Sequence, residues 1–105
     1  MNKELQDLQD KIVQRLKTVY DPEIPVNIYD LGMIYDVDID EGNNVTIEMT
    51  FTSPNCPAAD FILMDVRMKV ESIEEVNNVN INLTFEPPWD RSMMSEEALL
   101  ELGML

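Results

Sequence analysis

The chain has 105 residues, with 21 Asp and Glu against 7 Lys and Arg, no histidine and a formal charge of −14. Such a surface repels phosphate backbones and anionic lipid, so neither nucleic acid nor a membrane is the expected partner. Without histidine there is no Cys-His or Ser-His pair, no histidine-based zinc site and no imidazole shuttle, which excludes the ordinary hydrolase chemistries.

Leu5, Leu8, Ile12, Leu16 and Val19 recur at three- and four-residue steps and predict an amphipathic helix. It stops at Tyr20-Asp21-Pro22-Glu23-Ile24-Pro25, because a residue before proline is pushed out of helical geometry. An ordered loop follows, holding Pro22, Pro25 and Gly32. Met33, Tyr35, Val37 and Ile39 then alternate with polar residues, as do Val45, Ile47, Met49 and Phe51. The Asp40-Glu41-Gly42-Asn43-Asn44 segment between them predicts a hairpin with one buried face. A second helix is expected from about Ala58 to Ile73, and a third strand carries Val79, Ile81, Leu83 and Phe85. Pro87-Pro88-Trp89 breaks that strand, and Ser95 is the expected N-cap of a short last helix, Glu96 to Leu102, with Gly103 at its end.

The order α-β-β-α-β-α reads as a small α+β sandwich: one domain over residues 1–105, a three-stranded sheet with helices on one face. No apolar run approaches membrane-spanning length, and Met1-Asn2-Lys3-Glu4 starts no signal peptide. A single cysteine forms no internal disulfide, which fits a reducing cytoplasm. The second helix has two apolar stripes. Ala59, Leu63, Val66, Val70 and Ile73 fall on one side, to pack on the sheet, while Phe61, Met64 and Met68 fall nearly opposite. The second stripe either packs on another helix of the chain or forms a surface for a second subunit or partner.

The lone cysteine lies in Thr52-Ser53-Pro54-Asn55-Cys56-Pro57, where the second helix begins. Proline is favoured as the first helical residue, so Pro57 puts Cys56 near the N-cap, where the backbone N–H groups and the helix dipole favour a thiolate. Thr52, Ser53 and Asn55 add hydrogen-bond donors. That suits a metal-ligating or nucleophilic thiolate; the plainer reading is a small buried residue in a tight turn. Asp21 and Glu23, followed by Asp30, form a second candidate group that could meet the Cys56 loop to hydrogen-bond a partner, orient the site or bind hard cations. The plainer reading is that Asp21 and Glu23 cap a turn. A structural zinc site takes four ligands and a cluster usually four thiolates, so one copy of this chain cannot enclose a stable cluster. Two copies, or one copy and a client, could share one.

The segments Val19–Val37, Met49–Asp60 and Phe85–Gly103 together resemble the SufT/PaaD-like family of metal–sulfur cluster assembly proteins, the FSCA domain. The resemblance implies a compact α+β domain that works as a carrier or accessory factor in iron–sulfur protein maturation and is not a turnover enzyme. It places the family's acid pair on Asp21 and Glu23, its hydroxyl pair on Thr52 and Ser53, and its reactive cysteine on Cys56, the expected metal ligand. The implied cargo is transient iron or an iron–sulfur cluster, with nothing permanently bound. The implied partners are the assembly machinery and client apoproteins, with a homodimer left open. Two alternatives stand beside this: a metal-free adaptor that brings clients to the machinery, and a PaaD-like assembly subunit of an aromatic-ring oxygenase complex. A thiol-dependent enzyme comes last, since no base is in view to activate Cys56.

Overall fold

The computed structural model describes residues 3–22, 24–53 and 57–104. Helix α1 (Lys3–Leu16) is followed by strands β1 (Ile34–Ile39) and β2 (Asn44–Met49), helix α2 (Ala59–Glu71), strand β3 (Asn78–Leu83), a 3-10 turn (Arg91–Met93) and helix α3 (Glu96–Glu101). The predicted order is therefore the observed one.

Helix α1 buries Leu8, Ile12 and Leu16 and ends three residues before Val19. The periodicity nevertheless carries on. Thr18 donates both its N–H and its hydroxyl to the Arg15 carbonyl, a tightened last turn that brings Val19 into the core. In the hairpin turn the Asp40 carboxylate accepts from the Gly42 and Asn44 N–H groups, both at 2.9 Å. Asn43 sits at φ 60°, a left-handed position that asparagine tolerates better than most residues. These bonds hold the Asp40 carboxyl below its ordinary value, the Asn44 N–H being the largest cause.

The sheet order is β1-β2-β3, with β1 antiparallel and β3 parallel to β2. Facing the helices, Val45 pairs with Val79, Ile47 with Ile81 and Met49 with Leu83. The opposite face carries Asp36, Asp38, Thr46, Glu48, Asn80 and Asn82 and is open to solvent or nearly so. The alternation expected for β1 is broken by an irregularity between Ile34 and Asp36, so Ile34, rather than Tyr35, stands opposite Met49. All four inward residues predicted for the second strand are buried. In the third strand only Val79 is fully buried, and Leu83 and Phe85 are exposed.

Helices α1 and α2 lie against one another, α1 over β1 and α2 over β3. Helix α3 packs instead on the loop before β1, through buried Ala98 and a 2.8 Å bond from the Ser95 N–H to the Asp30 carbonyl. Ser95 caps α3 as expected, its hydroxyl accepting from the Ala98 N–H. Helix α2 buries Ile62, Val66 and Val70, so the stripe against the sheet is the one foreseen, shifted slightly around the axis. Among the described residues no helix covers the other stripe: Phe61, Met64 and Met68 are 62%, 64% and 58% exposed. Among the described residues no helix is long and apolar enough to cross a membrane.

Candidate functional site

Because β3 runs parallel to β2 and β1 antiparallel to both, one end of the sheet collects the C-terminal ends of β2 and β3 and the start of β1. Three segments meet there: the loop before β1, the link from β2 to α2, and the chain leaving β3. Ligand sites in open sheets with parallel strands favour this carboxyl end, where loops converge and helices begin.

The loop before β1 closes on itself. The Ile28 N–H donates to the Val19 carbonyl at 2.8 Å, and Tyr20 bridges to Asn27. Asp21 stands at the neck of this loop and is 5% exposed. Besides Thr50 it is the only polar or charged residue among the described ones to be so buried. A carboxylate taken out of water is costly unless hydrogen bonds or charges meet it, so this position is tightly specified. Glu23, its expected partner, lies outside the described residues.

The link after β2 is fastened to the same end. The Thr50 N–H donates to the Met33 carbonyl at 2.9 Å, which ties the exit of β2 to the residue before β1. Thr52 is half-buried and Ser53 exposed. Cys56, with Pro54 and Asn55, falls outside the described residues, and its geometry is not assigned. The start of α2 differs from expectation. The cap position is Ala58 and not Cys56, so Cys56 is two residues upstream of it, and Ala58 offers no side-chain cap to the first N–H groups. Pro57 belongs to the turn leading into the helix. Proline stiffens that turn by its fixed φ, and the helix waits for the alanines.

Asp30 does not join the group. Its carboxylate accepts from Asn27 Nδ2 at 2.8 Å, its N–H donates to Asn27 Oδ1 at 2.9 Å, and its carbonyl holds α3. It is a turn residue and not a site carboxylate. The structure thus brings Asp21, Thr52 and Ser53 to one end of the sheet and turns Asp30 aside. Among the described residues no three Cys, Asp or Glu side chains converge as metal ligands.

The chain leaving β3 closes this end as a strap. Tyr35 donates its hydroxyl to the Pro87 carbonyl at 2.7 Å, and the Trp89 indole donates to the Leu31 carbonyl at 2.7 Å. The strap presses on Gly32, at φ +84°, where an added Cβ would lie 2.4 Å from the Met93 carbonyl oxygen. Ser92 donates its hydroxyl to Asp90 and holds that carboxyl below its ordinary value. Asn27, Tyr35 and Trp89 were missed by the sequence reading. The signal for Trp89 was available: an indole N–H that leaves water needs an acceptor. A cleft of about 930 Å³ between the start of α1 and the hairpin turn is at the opposite end of the sheet. It is an open acidic surface, and the loop geometry gives it no part in this site.

A family model for iron–sulfur cluster assembly proteins matches residues 9–83. The chain is 63% identical to an Fe-S protein maturation auxiliary factor of Porphyromonas gingivalis over 105 residues, which is 100% of both chains. It is 39% identical to the Fe-S protein maturation auxiliary factor YitW of Bacillus subtilis, over 92% of this chain and 95% of that one. In three dimensions it is similar to a domain of unknown function from Bacillus anthracis, with a TM-score of 0.90 and 39% identity, covering 99% of this chain and 100% of the other. On the match of the family model and on these likenesses over the whole length, the chain belongs to the iron–sulfur cluster assembly protein family.

Proposed function

We propose that this protein is a maturation factor for iron–sulfur proteins, one domain acting as a carrier or accessory protein and not as a turnover enzyme. Iron or a small cluster is its cargo, held for a short time by the Cys56 thiolate at the carboxyl end of the sheet. Asp21, Glu23, Thr52 and Ser53 shape the pocket: the hydroxyls donate hydrogen bonds to sulfide or thiolate, and the carboxylates orient the loop. With one thiolate per copy the remaining ligands come from outside, which suits cargo that must leave. Its partners are the assembly machinery and client apoproteins, met in the cytoplasm.

The observation that carries this reading is the buried Asp21 at the sheet end where the Thr52-Ser53 link also begins. A carboxylate so deeply placed is a specified feature, while the 19 other Asp and Glu that are described lie outside the buried class. The maturation-factor names of the relatives point the same way.

The test is anaerobic reconstitution with ferrous iron and sulfide, comparing wild type with Cys56→Ala by visible absorption after desalting. A sulfide-to-iron charge-transfer band in wild type alone is expected, with circular dichroism showing both proteins folded. A band of equal strength in the variant would remove Cys56 from the ligand set. No band in either favours the second reading, a metal-free adaptor, for which the exposed Phe61, Met64 and Met68 stripe is the supporting observation.

A further inference from the structure

In a strand, the peptide groups of alternate residues point to opposite edges. Two bonds fix which way those of β3 point. The Thr84 N–H donates to the Met49 carbonyl of β2 at 2.9 Å, whereas the Val79 carbonyl accepts from Arg67 Nη1 of α2 at 2.7 Å, away from β2. The N–H and C=O groups of Val79, Ile81 and Leu83 therefore face outward, and beyond Val79 no described residue bonds to this edge. Edges are commonly protected by charges, prolines or bulges. Here no charged residue occurs between Glu75 and Glu86, in a chain of net charge −14, and the pairing with β2 runs without a bulge.

We propose that the outer edge of β3 from Ile81 onward is a docking edge for an extended segment of a partner protein, one that alternates apolar and basic side chains. The period-two register sorts the two kinds of side chain. On the helix side a docked strand meets Leu83, 43% exposed, and Met64, one turn before Arg67 on the same flank of α2. On the open side it lies beside Asn80 and Asn82. The next residue across from Asn82 is Glu48, and across from that is Asp36. A lysine on the docked strand reaches toward this acidic row, two strand spacings or about 10 Å from its backbone to that of Glu48. A second copy of the chain fits less well, since pairing β3 with β3 would merge two acidic open faces and join two chains of charge −14 each. A segment laid along β3 ends at the sheet end holding Asp21 and Thr52. That consequence rests on the assembly reading; the docking does not.

The test uses the full chain, ¹⁵N-labelled and free of iron and sulfide, titrated with a synthetic octapeptide of alternating lysine and valine. Amide shifts centred on Ile81 and Leu83 are expected. The same peptide with N-methylated amides, or with glutamate in place of lysine, should bind about tenfold more weakly or worse. Leu83→Lys should weaken binding by a similar factor, with unchanged circular dichroism. Shifts that scatter over the acidic surface and survive N-methylation would mean simple electrostatic adsorption and overturn the proposal. So would the absence of shifts, or a dimer in sedimentation without peptide, which would assign the edge to a second copy.

Discussion

Strands β1 and β3 both lie at an edge of the sheet, yet they are defended differently. β1 carries Asp36 and Asp38, has an irregularity after Ile34, and starts beneath a strap that bonds to Tyr35 and presses on Gly32. β3 is regular, uncharged and guarded by Arg67 at Val79. An edge with several deterrents is closed to pairing, and an edge with one is available for it. The chain thus spends its strap on the edge next to the Asp21 loop and leaves the other side of the sheet accessible.

Gly32→Ala strikes the defended side hardest. A left-handed backbone and a Cβ pressed into the Met93 carbonyl should together destabilise by about 3 kcal/mol. Denaturant unfolding measures this; a loss under 1 kcal/mol would mean that the strap yields easily. Trp89→Phe keeps the ring but leaves the Leu31 carbonyl without its donor, a loss of about 1–2 kcal/mol by the same method. Tyr35→Phe should cost about 1 kcal/mol and raise hydrogen exchange along β1 while leaving β3 unchanged. Arg67→Ala should change stability by no more than about 0.5 kcal/mol, its head group being partly exposed, but should speed exchange of the β3 amides that face β2, as the start of the strand loosens. If exchange at Asn80 and Asn82 does not move, Arg67 is no guard.

The smallest effect is acid sensitivity in the hairpin turn that joins β1 to β2. Asp40 has a depressed carboxyl in the folded state, so its contribution is present above the ordinary value of 3.8 and fades as pH falls through the folded value. Asp40→Asn should therefore narrow its stability deficit against wild type as pH is lowered below 4. A deficit that is constant from neutral to acidic pH would show that the turn needs only the amide geometry, and not the charge.

Side-chain periodicity placed every helix and strand in the right order, because alternation and the three-to-four spacing record which face each element buries. Ser95, with the correct hydroxyl for a cap, was found for the same local reason. The start of α2 was found to within a residue, but the cap was placed two residues early, at Cys56, because Pro57 suits a turn as well as a first helical residue. The second stripe of α2 was ambiguous for a different reason. Phe61, Met64 and Met68 have the composition of a core face, yet among the described residues no neighbouring element covers them. In the site, Asp21 was picked out by its place before Pro22, but its burial was not visible, nor was the use of Asp30 to hold Asn27. Cys56 and Glu23, named from sequence, lie outside the described residues.

By itself the sequence determined the elements, the buried rows of β2 and the acidic, histidine-free chemistry, since each depends on residue type and short-range spacing. The tertiary structure alone decided that β3 joins β2 in parallel, that the segment after β3 reaches back to Leu31 and Gly32, and that one sheet edge stays open. Those features rest on contacts between residues distant in the chain, such as Trp89 and Leu31, 58 positions apart. They are settled by which buried surfaces fit together, and no local pattern encodes that choice.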